Sequence, residues 1–290
     1  MYPTKQTHSI LAVSVVLGAG FAIPPAFGQN AAQNSGQDAL EIVKKSIDRD
    51  FEDFARQKDY TYQEREQDKE FDTKGAVTKT ETATSEVMIL GGRPYEKLVA
   101  KDDKPLSERD ARKEQEKMDR ELTKRQNMSA AERAQQEKKR EENRKFLREL
   151  PQAFHFRMGG EDVVSGKPCW VILADPNPDF RPNTMQEKFL SKVRAKMWID
   201  KNEYQWVKAD AEVLDTVSFG MALFRISPGG LIHFEQTRVN DDVWLPSKIE
   251  IRADARLAYV KKIRTEIDIT YKDYRKFQAE SKIVSIEPKN

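Results

Sequence analysis

A chain of 290 residues, 34% charged and 38% hydrophobic, carries a formal net charge of only +2. That balance offers no general attraction for nucleic acid, and the length suits one large domain or two small ones. The mean hydropathy of −0.77 looks too polar for a compact globule, but much of the polarity sits in residues 101–150. The remainder keeps enough apolar content for a core.

Lys5 and His8 precede an apolar run from Ile10 to Ile23, followed by Pro24–Pro25 and Ala26–Phe27–Gly28 before Gln29. A basic start, a short apolar stretch and small residues at the −3 and −1 positions predict a secretory signal peptide over 1–28, cleaved near Gly28. An uncleaved anchor is the alternative, but the run is shorter than the ~20 residues of a spanning helix. No cysteine follows the run, so lipid attachment at a mature N-terminal cysteine is excluded and a periplasmic location is expected. The single cysteine, Cys169 in "GKPCWVIL", has no intramolecular disulfide partner and reads as a packing residue of an apolar strand. An exported chain folding without disulfides suits a large core in a bacterial envelope.

Residues 29–37 read as a flexible linker. The segment "DALEIVKKSIDRDFEDFARQ" then places Leu40, Val43, Ile47, Phe51 and Phe54 at steps of three and four, predicting an amphipathic helix capped by Asp38. Residues 60–100 are rich in Thr, Tyr and Val and are broken by Gly75 and Gly91–Gly92, which predicts two or three antiparallel strands.

From Lys101 to Leu150 the chain is almost wholly charged residues, Gln and Ala. Ser107 before "ERD" and Ser129 in "SAAE" are helix-start signals, the second a capping box. Two charge-laced helices are expected, supported by pairs such as Glu116 with Arg120 and Glu121 with Arg125, and anchored only at their ends. The interleaved signs imply no one-sided basic surface.

Beyond Pro151 short turns separate alternating runs. Val217, Phe219, Met221 and Leu223 fall on one face of a strand, as do Val243, Leu245, Ile249 and Ile251, and then Ile263, Thr265, Ile267 and Ile269. That alternation predicts one antiparallel sheet with an oily face. In "RAKMWID" it sets Ala195, Met197 and Ile199 on one side and Arg194, Lys196 and Trp198 on the other, with Trp198 and Trp206 pairing across a hairpin beneath charged stems. A tryptophan wall for a ligand is the alternative.

No hydrolase elbow, phosphate-binding loop or dinucleotide fingerprint is present. His155 and His233 lie far apart, without metal-ligand spacing, so no catalytic residue, metal site or cofactor is expected. The protein is read as no enzyme. A lipid carrier needs no such signature, because acyl chains are held by area at roughly 0.8 kcal/mol per buried methylene. The apolar rows could supply the holding face, with the amphipathic helix either a movable cover or a permanent filling.

The order of helix, strands, helical interruption and long meander resembles the LolA/RseB-like family of periplasmic lipoprotein-sorting and envelope-sensing proteins. The local matches are "GKPCWVILADP" (166–176), "KMWIDKNEYQWVKADAEV" (196–213), "HFEQTRVNDDVWLPSKIEI" (233–251) and "TYKDYRKF" (270–277). The resemblance implies an α+β fold, a half-open antiparallel β-barrel over 38–277 with the N-terminal helix covering its concave face, a charged helical insertion at 101–150 and a tail at 278–290. It implies a non-enzymatic carrier or chaperone whose partner is a lipid or lipidated envelope protein. The expected apolar site comprises Leu40, Val43, Ile47, Phe51, Val217, Phe219, Met221, Leu223, Val243, Leu245, Ile249, Ile251, Ile263 and Ile267. The alternative is a sensor or assembly module that docks an inner- or outer-membrane protein partner through the insertion. No nucleic acid is expected.

Overall fold

The computed structural model describes the backbone of residues 29–72, 74–142, 144–219, 224–257 and 261–277. Side chains are described throughout these except at 29–35, 37, 219, 224, 255–257 and 261–263. The expected signal peptide and C-terminal tail lie outside the described residues.

Helix α1 (Gln29–Gln57) leads into three strands, β1 (Tyr60–Phe71), β2 (Val77–Leu90) and β3 (Arg93–Lys101). A two-residue strand β4 (Lys104–Pro105) precedes the insertion helices α2 (Glu108–Gln126) and α3 (Ala130–Glu142). A 3-10 helix (Lys145–Glu149) and the short α4 (Leu150–Ala153) return the chain to β5 (Phe154–Val164) and β6 (Lys167–Pro176). After α5 (Met185–Leu190) come β7 (Val193–Asp200), β8 (Trp206–Val213), β9 (Val217–Phe219), β10 (Phe224–Ile226), β11 (Leu231–Val239), β12 (Val243–Leu257) and β13 (Lys261–Lys276).

The strands form one sheet in the order β4-β3-β2-β1-β13-β12-β11-β8-β7-β6-β5, with β10 pairing β12 and β9 pairing β10. Every pairing is antiparallel. β4 and β5 end the order without pairing each other, so the sheet is open. The antiparallel sheet is as the alternation predicts, the α+β class is as the resemblance implies, and the open order is consistent with a half-open barrel. Turn chemistry closes the hairpins: Ser165–Gly166 and Asn240–Asp241 all have positive φ, the geometry that matches the twist of paired strands.

Four details differ from the sequence reading. α1 begins upstream of Asp38, so residues 29–37 extend the helix and Asp38 lies inside it. Val217–Phe219 and Phe224–Ile226 are two short strands that pair antiparallel with each other, Phe219 opposite Phe224, rather than parts of one strand. Trp198 and Trp206 do not pair. A bulge at Val207 sets Trp198 opposite Lys208 and Ile199 opposite Trp206, so the two rings face opposite sides. Finally, the insertion is not anchored only at its ends: Arg125 of α2 donates to the carbonyls of Leu90, Arg93 and Pro94 at 2.8, 3.0 and 3.2 Å. Met128, between the helices, is buried.

The predicted helix starts are present. Asp110 N–H donates to Ser107 Oγ at 3.2 Å, and Ser129 and Glu132 exchange reciprocal bonds, Ser129 N–H to Glu132 Oε2 at 2.8 Å and Glu132 N–H to Ser129 Oγ at 3.2 Å. Neither α2 nor α3 contains a buried residue, as a helix polar all round requires.

Candidate functional site: the inner face of the sheet

The strand register identifies the site, because residues directly opposite each other share a face. One row runs Met158, Ile172, Met197, Ala209, Phe234, Ile249, Ile269, Glu66 and Ala83 from β5 to β2. The next runs Phe156, Ala174, Ala195, Ala211, Ile232, Ile251, Ile267, Asp68 and Glu81. Both rows are apolar across seven strands and turn acidic at β1.

The β5-to-β11 part of this face is filled. Ala39, Val43 and Ile47 of α1, Leu147, Leu150, Ala153, and Phe189 with Leu190 of α5 form one buried cluster with Ile172, Met197, Trp206, Phe234, Ile249 and Ile269. The Thr184–Glu187 capping box fixes the start of α5. Ile251, Ile267 and Tyr271, further along the face, pack against that cluster but are only half-buried.

On β1 the alternation of "YTYQEREQDKEF" puts Tyr62, Glu64, Glu66 and Asp68 on the inner face. Burial pushes the Glu64 carboxyl up to about 7, with Glu96 and Glu66 adding to the effect. Burial likewise raises Glu66 to about 7, reinforced by Asp68 and Glu96, and holds Asp68 above its ordinary range. Tyr62 stacks near Tyr271 and Tyr274, at ring distances of 5.9 and 5.1 Å, and burial raises all three phenols. The face therefore passes from aliphatic through aromatic to a desolvated acidic strip.

Of the residues expected from sequence, Val43, Ile47, Phe51, Val217, Ile249, Ile251 and Ile267 come together in this one cluster or pack on it. Leu40 is half-buried. Val243 and Leu245 pack instead with Tyr60 in a separate cluster. A bulge causes this: Leu245 pairs Thr237 while Ile249 pairs Phe234, so one extra residue on β12 breaks the alternation. The side chains of Phe219 and Ile263, and residues Met221 and Leu223, lie outside the described residues. Sequence reasoning missed the acidic strip, although period-two counting along β1 would have found it. It also missed Phe154, Phe156 and Trp170 because it did not carry the face across the sheet.

The buried stripe of α1 is rotated from the predicted one and includes Ser46, Asp50 and Asp53. Asp53 accepts from Gln205 Nε2 at 2.5 Å and from the Trp244 N–H at 3.1 Å, tying α1 to the β7–β8 turn and to β12. Asp50 pairs with Arg144; burial outweighs the arginine and leaves its carboxyl above the usual range. A cleft of about 370 Å³ at this end is lined by Arg49, Asp53, Arg56, Glu203, Arg238 and Trp244 among others. Its arginines already pair with Glu52, Asp53 and Glu203, which makes it a polar joint.

On the outer face, Trp198 packs with Cys169, Val171, Val207 and Trp244. Lys196 and Lys208 lie over its ring at 4.5 and 4.6 Å, and its Nε1 donates to Asp162 at 2.9 Å. Trp198 is a structural ring under charged stems. Trp206 lies in the inner cluster.

No protein-family model matches the chain. No curated protein matches it either. Among solved structures, a DUF1329 family protein from Desulfovibrio piger is 10% identical, covering 85% of this chain and 95% of its own at a TM-score of 0.35. A putative outer membrane lipoprotein-sorting protein domain from Vibrio parahaemolyticus is 10% identical over 82% of this chain and 94% of its own, at 0.30. A LolA superfamily protein from Nitrosomonas europaea is 10% identical over 82% and 92%, also at 0.30. Among the described residues no helix is long and apolar enough to cross a membrane.

Proposed function

We propose that the protein is a non-enzymatic binding protein of the bacterial periplasm that holds the acyl chain of a lipid or lipidated protein. The supporting observation is the inner face itself: apolar rows that leave Ile251, Ile267 and Tyr271 half-buried against the cluster that includes Ala39, Val43 and Ile47 of α1. An acyl chain laid along β12 and β13 would remove these side chains from water, at about 25 cal/mol per Å² of apolar surface buried. The acidic strip on β1 then favours a neutral or cationic head group over an anionic one.

Mature protein purified from native envelope extract should carry lipid detectable by mass spectrometry. It should also bind a fluorescent fatty-acid analogue. Protein that is lipid-free and binds no such analogue ends this reading.

The second reading is a docking arm for an envelope protein. It is favoured by α2 and α3, which bury no residue and keep their outward faces accessible. Reversing the exposed charges Glu116 and Arg120 should abolish a pull-down partner without changing the fold; an unaltered partner list removes this reading.

A further inference from the structure

The insertion touches the body at two places far apart in the chain. At the elbow, Arg125 holds three carbonyls of the β2–β3 turn, and Arg93 from that turn bonds Gln136 of α3. A Cβ at Gly91 would lie 3.4 Å from the Arg125 side chain, so the turn and the arginine are in close contact. At the far end, Arg144 pairs with the buried Asp50 of α1 and stacks over Phe54 at 4.1 Å. Arg140 lies over the same ring at 5.8 Å, and Arg148 over Phe51 at 4.4 Å.

Arg93 also reaches Met128, just ahead of α3, at 3.3 Å; from there to Arg144 the chain runs through the thirteen residues of α3, about 20 Å at ~1.5 Å per residue, with Gln136 and Arg140 as contacts along its length. α2 lies on the other side of the hairpin: Tyr95 and Lys97 of β3, which meet Arg125 and Gln115, alternate with Glu96 on the inner side. The insertion thus wraps the β2–β3 hairpin and returns to the covering helix.

We propose that α3 is a strap, tied to the β2–β3 turn at one end and clasped to α1 through Asp50 and Arg144 at the other, that holds α1 down on the inner face. α1 has its own fixing to the sheet through Asp53; the strap is a second one, contributed by the insertion alone. Three arginines stacked on two phenylalanines give the clasp a contact that a solvated charged helix does not need for its own stability. Releasing it frees the half of α1 that carries Val43 and Ile47. The proposal depends on the acyl-chain reading only for the use of that movement.

Hydrogen–deuterium exchange on the full mature chain tests it. Arg144→Met should speed exchange of the amides in 43–54 by about tenfold or more, leaving strands 193–213 as protected as in the parent, while Arg120→Met on α2 changes neither. Unchanged protection of 43–54 in Arg144→Met overturns the strap. If Arg144→Met loses protection in 193–213 as well, Arg140→Met decides: a gain confined to 43–54 supports the strap, and none refutes it. A fatty-acid analogue in the same samples separates the two ideas. Faster exchange without binding keeps the strap and ends the acyl-chain reading; binding with unaltered exchange does the reverse.

Discussion

Glu64 and Glu66 are carboxylates placed where an apolar face would ordinarily continue. Because burial raises both to about 7 in the folded chain, folding is favoured by their protonation. That contribution is complete below the unfolded value near 4.5 and is lost as pH rises through about 7. Glu64→Gln and Glu66→Gln should therefore melt higher than the parent at pH 8, by about 2–4 °C for each kcal/mol regained, and lose the advantage at pH 4. Equal melting temperatures at both pH values would show that the strip is solvated. His233, on the outer face, gives the same direction of pH dependence by gaining acidic partners rather than by burial. Its Nδ1 meets Asp210 at 2.5 Å and its Nε2 meets Glu235 at 2.9 Å; Asp210 is the main cause of its raised pKa. The stability it contributes is complete below about 6.5 and fades as pH climbs through the raised value. An NMR titration should find its midpoint above 6.5, and Asp210→Asn should bring it down.

At the scale of elements, bulges decide which side chains reach the site. Gly159 and Gly160 stand where β5 slips register against β6. A Cβ on Gly159 would lie 2.9 Å from Leu173 and 3.1 Å from Val171, so Gly159→Ala should cost about 1–3 kcal/mol by overpacking, read by urea unfolding. Trp206 reaches the core only because of the bulge at Val207, and Trp206→Ala should cost about 3–5 kcal/mol. Values near zero for either would mean the register is wrong. These same bulges explain where the sequence was hard to read. The apolar alternation of β7 and β13, the helix starts at Ser107 and Ser129, and the turns at Gly75 and Gly91–Gly92 were legible, because local rules govern them. Val243 and Leu245, the supposed Trp198–Trp206 pair and the rotated stripe of α1 were not, since one inserted residue or one buried Asp–Arg pair is invisible to period counting.

For the whole molecule, eleven strands in one open antiparallel order set an inner face that no single segment displays. Its composition appears only when the register joins Ile249 to Ile269 and Ile269 to Glu66. Much of that face serves as core with α1 and α5, Ile249 and Ile269 included, while Ile251, Ile267 and Tyr271 are left half-buried. The measurement that bears most directly on its use is titration of a fluorescent fatty-acid analogue into the mature protein and into Ile251→Asp and Ile267→Asp. Saturable binding by the parent, and about tenfold or greater weakening in each variant from a charge placed against the chain, is the predicted result. Equal binding by all three folded proteins, or none by the parent, would contradict an acyl-chain site on this face.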